Sequence, residues 1–215
     1  MDILAQTISI VTKKNYQDIR KYFEELNEDY NLKEHIKREL LINNYGKEFT
    51  VDYSRRIGWY AIARAIRPKI IIETGVSHGV GSCVLTKALI LNRQEGHPGK
   101  YFGTEIDPKM RKLLVGKYKN EGQIIYGDSI NTLEKFDDKI NLFINDSDHS
   151  ADYEYMEYNS IKNKINDNSI ILGDNSHSTD KLSTFSREQK RKFIFFKEQP
   201  LNHWYPGAGI GISYN

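Results

Sequence analysis

Cysteine is almost missing. Cys83 is the one thiol in 215 residues, which excludes an internal disulfide and any metal site built from several cysteines, and leaves Cys83 to be read as a small core residue. Long apolar runs are missing too: no stretch approaches the roughly 18 residues of a membrane span. The opening "MDILAQTISIVTKKN" has neither the basic start nor the small-residue cleavage site of a secretory signal. A cytoplasmic protein without membrane contact is expected. Charge of one sign is not in excess, with 31 Lys and Arg against 29 Asp and Glu and a formal net charge of +2. No nucleic acid is expected as partner, because backbone binding needs a concentrated basic face. The one basic cluster, "SREQKRK", reads first as a solvated helix face and second as an anion-contacting patch. Internal repeats and low-complexity tracts are absent.

What is present describes a globular chain, 39% hydrophobic and 28% charged, long enough for one substantial domain over residues 1–215. Residues 1–66 form a helical cap in this reading and 67–215 the core. From Asn15 to Asn43, Ile19, Tyr22, Phe23 and Leu26, then Ile36, Leu40 and Leu41, recur at helical spacing. Such helices suit a cover or a subunit contact, so a homodimer is open to them. "SRRIGWYAIARAI" continues the helical period until Pro68 stops it.

Beyond Pro68, short β-branched runs alternate with helical stretches: "KIIIETG", "KYFGTEID", "QIIYGD", "INLFIND" and "SIILGDN" are each followed by a helix, the second by "PKMRKLLVGKYKN". Near-continuous apolar strands imply an α/β, doubly wound, Rossmann-like, mostly parallel sheet covered on both faces. "KFIFFKEQP" and "GAGIGISYN" suit a closing antiparallel hairpin. In such a sheet a ligand sits beyond the carboxyl ends of the strands, where strand order reverses. The residues there are Glu73-Thr74-Gly75, Glu105-Ile106-Asp107, Gly127-Asp128, Asp146-Ser147-Asp148-His149 and Asp174-Asn175, and every group carries a carboxylate.

Taken alone, Asp174 and Asn175 in "GDNSH" read as a turn, Asp128 as a helix N-cap and Glu105 as an exposed strand end. The turn "ETGVSHGVGS" offers Gly75 and Gly79 for close backbone approach and a helix N-terminus for negative charge. It does not fit a dinucleotide fingerprint: the nearest approximation begins late, at Gly79, and has Val84 at its third glycine position. "YEYMEYN" offers no Tyr-x-x-x-Lys pair, which counts further against an NAD-dependent oxidoreductase.

"IIIETGVSHGVGS" resembles the first motif of the class I S-adenosylmethionine (SAM)-dependent methyltransferases, and "GTEIDP" their second. The resemblance spans roughly residues 66 to 180. It implies SAM as cofactor, with Glu73 near the methionine ammonium and Gly75, Ser77, Gly79 and Ser82 in the cofactor loop. Glu105 would then lie on the ribose hydroxyls, where a carboxylate accepts two hydrogen bonds side by side; Asp128 and Ser129 would lie near the adenine, with Asp146 close by.

Within that class, Asp146 after the fourth strand and Asp174-Asn175 after the fifth resemble the metal-holding residues of the cation-dependent O-methyltransferases. Mg²⁺ or another divalent cation is implied, since hard oxygen donors suit it and a cation beside a hydroxyl lowers its pKa. Those families place a lysine three residues after the first Asp. Here His149 stands in that place, in "DSDH", a departure similar to the macrolide sugar O-methyltransferases. The resemblance implies His149 as general base and a small-molecule hydroxyl acceptor, a sugar or nucleotide sugar. Otherwise His149 is an exposed loop histidine, and Asp148 either orients it or caps the next helix. His177 is a weaker candidate, and His203, Trp204 and Tyr205 suit either an acceptor-pocket wall or the filling of a turn. A catechol-like or phosphate-bearing acceptor stays open beside the sugar, and a different class of reading is a SAM-binding subunit of a complex that does no chemistry.

Overall fold

The structure, a computed structural model, describes residues 2–43, 51, 53–110, 113–198 and 207–215. Seven strands, β1 (Ile70–Thr74), β2 (Lys100–Glu105), β3 (Gly122–Tyr126), β4 (Leu142–Asn145), β5 (Ile170–Gly173), β6 (Lys192–Lys197) and β7 (Gly209–Tyr214), form one sheet in the order β3-β2-β1-β4-β5-β7-β6. Strands β1, β4 and β5 are parallel, with Ile72, Phe143 and Ile171 in register across them. β7 lies antiparallel between β5 and β6. This is the mixed, Rossmann-like α/β sheet flanked by helices, with a C-terminal antiparallel hairpin, that the apolar runs imply. Strand order reverses between β1 and β4, so the crevice of an open sheet lies beyond Thr74 and Asn145.

The chain divides into two compact units, Met1–Pro68 with Ser77–Tyr101 and Lys109–Gln123, and Lys69–Val76 with Phe102–Pro108 and Ile124–Asn215. The second unit holds most of the sheet with α6 (Ser129–Lys135), α7 (Ala151–Ile161) and α8 (Lys181–Glu188). The alternation of side chains along a strand sends Ile72, Phe143 and Ile171 to one face. There they join Leu133, Tyr158, Ile161, Leu182 and Phe185 in one buried cluster. Removing such area from water is the main driving force for docking these helices.

The first unit holds α1 (Asp2–Thr12), α2 (Tyr16–Asn27), α3 (Tyr30–Ile42), α4 (Arg56–Ile66) and α5 (Val80–Gln94). Asn15 caps α2 through the Gln17 N–H at 2.8 Å and Asp29 caps α3 through the Leu32 N–H at 2.9 Å. Arg64, buried on α4, donates to Glu25 at 2.8 Å, to Glu95 at 2.5 Å and to the Asn92 side chain, tying α2 and α5 to α4. Glu25 and Glu95 are partly exposed, so solvent screens much of the attraction. Arg64→Met is therefore expected to cost about 2 kcal/mol, below the ~3–5 kcal/mol of a fully buried broken pair, a loss that urea unfolding measures.

Two expectations are corrected. The helix expected over "PKMRKLLVGKYKN" is not present in its described residues, which hold a 3-10 helix at Gly116–Glu121. Leu113 explains this: its N–H donates to the His78 carbonyl at 3.0 Å, and its own carbonyl meets His35 Nε2 at 2.9 Å and the Cys83 thiol at 3.4 Å. With both backbone groups engaged outside a helical ladder, the segment cannot wind. "SREQKRK" is not one solvated helix face, because α8 ends at Glu188 and Arg191 is buried, donating to Ser213 Oγ at 3.0 Å and to the Ser169 carbonyl. α1 lies within the helical cap expected over residues 1–66. Among the described residues no helix is long and apolar enough to cross a membrane.

Candidate functional site

The carboxyl ends of β1, β4 and β5 lie side by side in the second unit. The parallel ladder runs one residue past the strands, the Asp146 N–H donating to the Thr74 carbonyl at 3.1 Å and the Asp174 N–H to the Asn145 carbonyl at 3.0 Å. Asn145 is opposite Gly173, so one further step of the register makes Asp146 and Asp174 neighbours, on strands that in a regular sheet lie about 4.8 Å apart. Gly75 sits against the same point: a β-carbon on it would lie 2.0 Å from the Asp146 carbonyl oxygen and 2.6 Å from Ser147 Cα, and its φ is +76°.

In "GDNSH" the backbone does make a turn, with the Ser178 and Thr179 N–H groups donating to the Asn175 carbonyl at 2.8 and 3.0 Å. The side chains do something else. Asp174 is 4% exposed and Asn175 is fully buried. Neither Asn175 Oδ1 nor Nδ2 has a hydrogen-bond partner among the described residues. An unsatisfied buried amide costs about 1–3 kcal/mol, more than a turn requires. A buried oxygen donor next to a buried carboxylate fits a hard cation. Among the described residues no three His, Cys, Asp or Glu side chains group as metal ligands; of the three residues expected to hold a cation, Asp174 and Asn175 are buried and Asp146 is half-buried.

Glu157 of α7 is the largest departure from what the sequence suggested. It is fully buried, yet accepts hydrogen bonds from Thr74 Oγ1 at 3.1 Å, Ser147 Oγ at 2.8 Å, Asn145 Nδ2 and Ser129 Oγ. Burial pushes its carboxyl up to about 7, against the opposing pull of those donors. The spacing of Glu154, Glu157, Tyr158 and Ile161, all buried, is i, i+3, i+4, i+7. Two glutamates on the inward stripe of a helix were the available signal.

The linked effect on stability has a definite sign. The folded-state pKa of Glu157 lies above the ordinary ~4.3 of an unfolded glutamate, so the contribution is whole below that value and is lost as pH rises through about 7. From pH 5 to pH 8 the wild type is expected to lose about 2–3 kcal/mol more stability than Glu157→Gln. Denaturant titrations of both proteins at the two pH values measure the difference; equal losses would place the Glu157 carboxyl in the ordinary range.

Glu73 and Glu105 are buried at the ends of β1 and β2, and Glu105 Oε1 accepts the Asp107 N–H at 3.1 Å. Asp128 caps α6 through the Asn131 N–H at 2.8 Å and accepts the Tyr153 hydroxyl at 2.8 Å. Ser129 adds a 2.9 Å contact to that hydroxyl. In the first unit Ser77 is exposed with φ +50°, Gly79 precedes α5 with φ +98°, and Ser82 is buried with its hydroxyl 2.7 Å from Tyr101. His149, Asp148 and His177 are exposed. Asp148 Oδ1 accepts the Ser150 N–H at 2.7 Å. Hydrogen bonding from Ser150 holds its carboxyl below the usual range, so Asp148 shapes the entry into α7. His203, Trp204 and Tyr205 lie outside the described residues.

Residues 72–176 match a family model described as a methyltransferase domain, and the matched span runs from β1 through Asp174 and Asn175. No curated protein matches. Among solved structures, the O-methyltransferase TomG of Streptomyces achromogenes, involved in tomaymycin synthesis and bound to SAM, is 12% identical over 87% of this chain and 90% of its own, with a TM-score of 0.60. An O-methyltransferase of Bacillus cereus in complex with S-adenosylhomocysteine (SAH) is 11% identical over 87% and 92%, TM-score 0.58. A methyltransferase of Geobacter sulfurreducens is 15% identical over 84% and 87%, TM-score 0.62. At these identities the likeness is one of fold.

Proposed function

We propose that the chain transfers the methyl group of SAM to a hydroxyl of a sugar or related polar small molecule, such as a nucleotide sugar, in a cytoplasmic reaction that needs Mg²⁺ or another divalent cation. Three things support SAM: the methyltransferase domain, the SAM- and SAH-bound relatives of the same fold, and the glycine turn after β1. The observation that carries the cation is the buried Asn175 amide, without a partner among the described residues, beside Asp174.

In this reading Glu73 and Glu105 offer their carboxylates to the amino-acid and ribose ends of the cofactor. Gly75 gives the backbone clearance beside Asp146. Asp146, Asp174 and Asn175 would hold the cation, which supplies charge that acidifies the acceptor hydroxyl and fixes its direction. His149 takes the hydroxyl proton on its imidazole as the methyl passes from sulfonium to oxygen, leaving SAH. Its exposed place in the loop after β4 leaves the imidazole open to an incoming acceptor.

Labelled SAM offered with a panel of glycosides and nucleotide sugars, with and without Mg²⁺ after chelation, tests the reading. Label is expected in a product only when the cation is present. Transfer undiminished by the chelator would remove the cation, and SAM binding with no labelled product on any acceptor would leave a non-catalytic binding subunit.

A further inference from the structure

α7 carries two fully buried carboxylates, Glu154 and Glu157, one turn apart, and no part of the reaction above uses either. Their partners are segments that end at proposed site residues. Glu157 holds Thr74, next to Gly75; Ser147, next to Asp146; and Ser129, next to Asp128. Glu154 accepts the hydroxyl of Tyr158 at 2.7 Å and that of Thr179. The Thr179 N–H in turn donates to the Asn175 carbonyl at 3.0 Å. One helix thus reaches four exits of the sheet, and each carboxylate serves a different set.

Resting on the function proposed above, we infer that Glu157 and Glu154 are positioning residues, Glu157 setting the exits of β1 and β4 and the start of α6 on the cofactor side, Glu154 setting the Asp174–Asn175 turn on the cation side. The physical reason is that carboxylate hydrogen bonds are directional and costly to leave unmade once buried. Apolar packing alone would dock α7 against the sheet but would let the loops slide, and misplacement by an ångström is enough to cost rate. A packing role predicts that loss of either glutamate lowers the folded fraction and little else. A positioning role predicts that the two losses separate.

The experiment compares wild type, Glu157→Gln, Glu157→Ala and Glu154→Gln by thermal unfolding, by calorimetric titration with SAH, and by the Mg²⁺ concentration that half-saturates turnover. Glu157→Ala is expected to weaken SAH about tenfold, roughly 1.4 kcal/mol, with Glu157→Gln recovering most of that and the cation requirement unchanged. Glu154→Gln is expected to leave SAH affinity as it is and to raise the half-saturating Mg²⁺ about tenfold. Folded variants whose SAH affinity and cation requirement are both those of wild type overturn the inference, as do variants that lose both together in proportion to stability. SAH titration needs no turnover, so the Glu157 arm still reads out if no acceptor is ever methylated.

Discussion

Gly75→Ala is expected to abolish SAM binding and to lower the thermal midpoint by about 10 °C, the shift that ~4 kcal/mol produces in a chain of this size. Two effects add. A φ of +76° costs an L-residue about 1–2 kcal/mol. The larger effect is that a methyl group would lie 2.0 Å from the Asp146 carbonyl oxygen and 2.6 Å from its carbon. These are backbone atoms in a parallel ladder, and overpacking against them forces β1 and β4 apart at the point where the strand order reverses. Gly127 provides the comparison. Its φ is +130° and nothing lies within 4 Å of a β-carbon placed there. Gly127→Ala is therefore expected to show only the conformational part, a midpoint shift of a few degrees at about 1–2 kcal/mol. Similar shifts in the two variants, measured by calorimetric unfolding, would show that the close approach at Gly75 relaxes.

The second large effect falls on rate. His149→Ala is expected to reduce kcat by about 10²–10⁴, the usual contribution of a positioned general base, while SAM affinity and thermal midpoint stay unchanged. The side chain is exposed, so its removal leaves no buried cavity and no buried partner. Single-turnover methyl transfer combined with SAM titration checks both halves. A kcat within threefold of wild type would assign His149 to the loop and the proton to another acceptor.

The contrast between Gly75 and Glu157 shows how far the sequence reaches. "KIIIETG", "INLFIND" and "SIILGDN" are near-continuous apolar runs, each with a polar pair at its exit, and such runs fix strand, burial and exit together, so the sequence alone points to the crevice. Local capping was legible in part: Asp128 both caps α6 and stands at the exit of β3, where a ligand-binding residue is expected. The tertiary use of polar groups was hidden. Glu157 lies in "YEYMEYNSI", where a glutamate reads as surface, and only the folded chain brings Thr74, Ser129, Asn145 and Ser147 to it from three segments. The same reason hides the Leu113 kink, since propensity favours a helix there and the partners His35, His78 and Cys83 are distant in sequence. Arg191 went inward because its partners Ser169 and Ser213 come together only when β7 inserts beside β5.

Titration of the SAH-loaded protein with Mn²⁺, followed by water proton relaxation, tests the centre of the account most directly, in wild type, Asp146→Ala, Asp174→Ala and Asn175→Ala. One tight site in the wild type, weakened at least about tenfold, or by 1.4 kcal/mol, in each variant, is the predicted result. Mn²⁺ binding that is absent from the wild type, or equal in all four proteins, would contradict a cation held between the exits of β4 and β5.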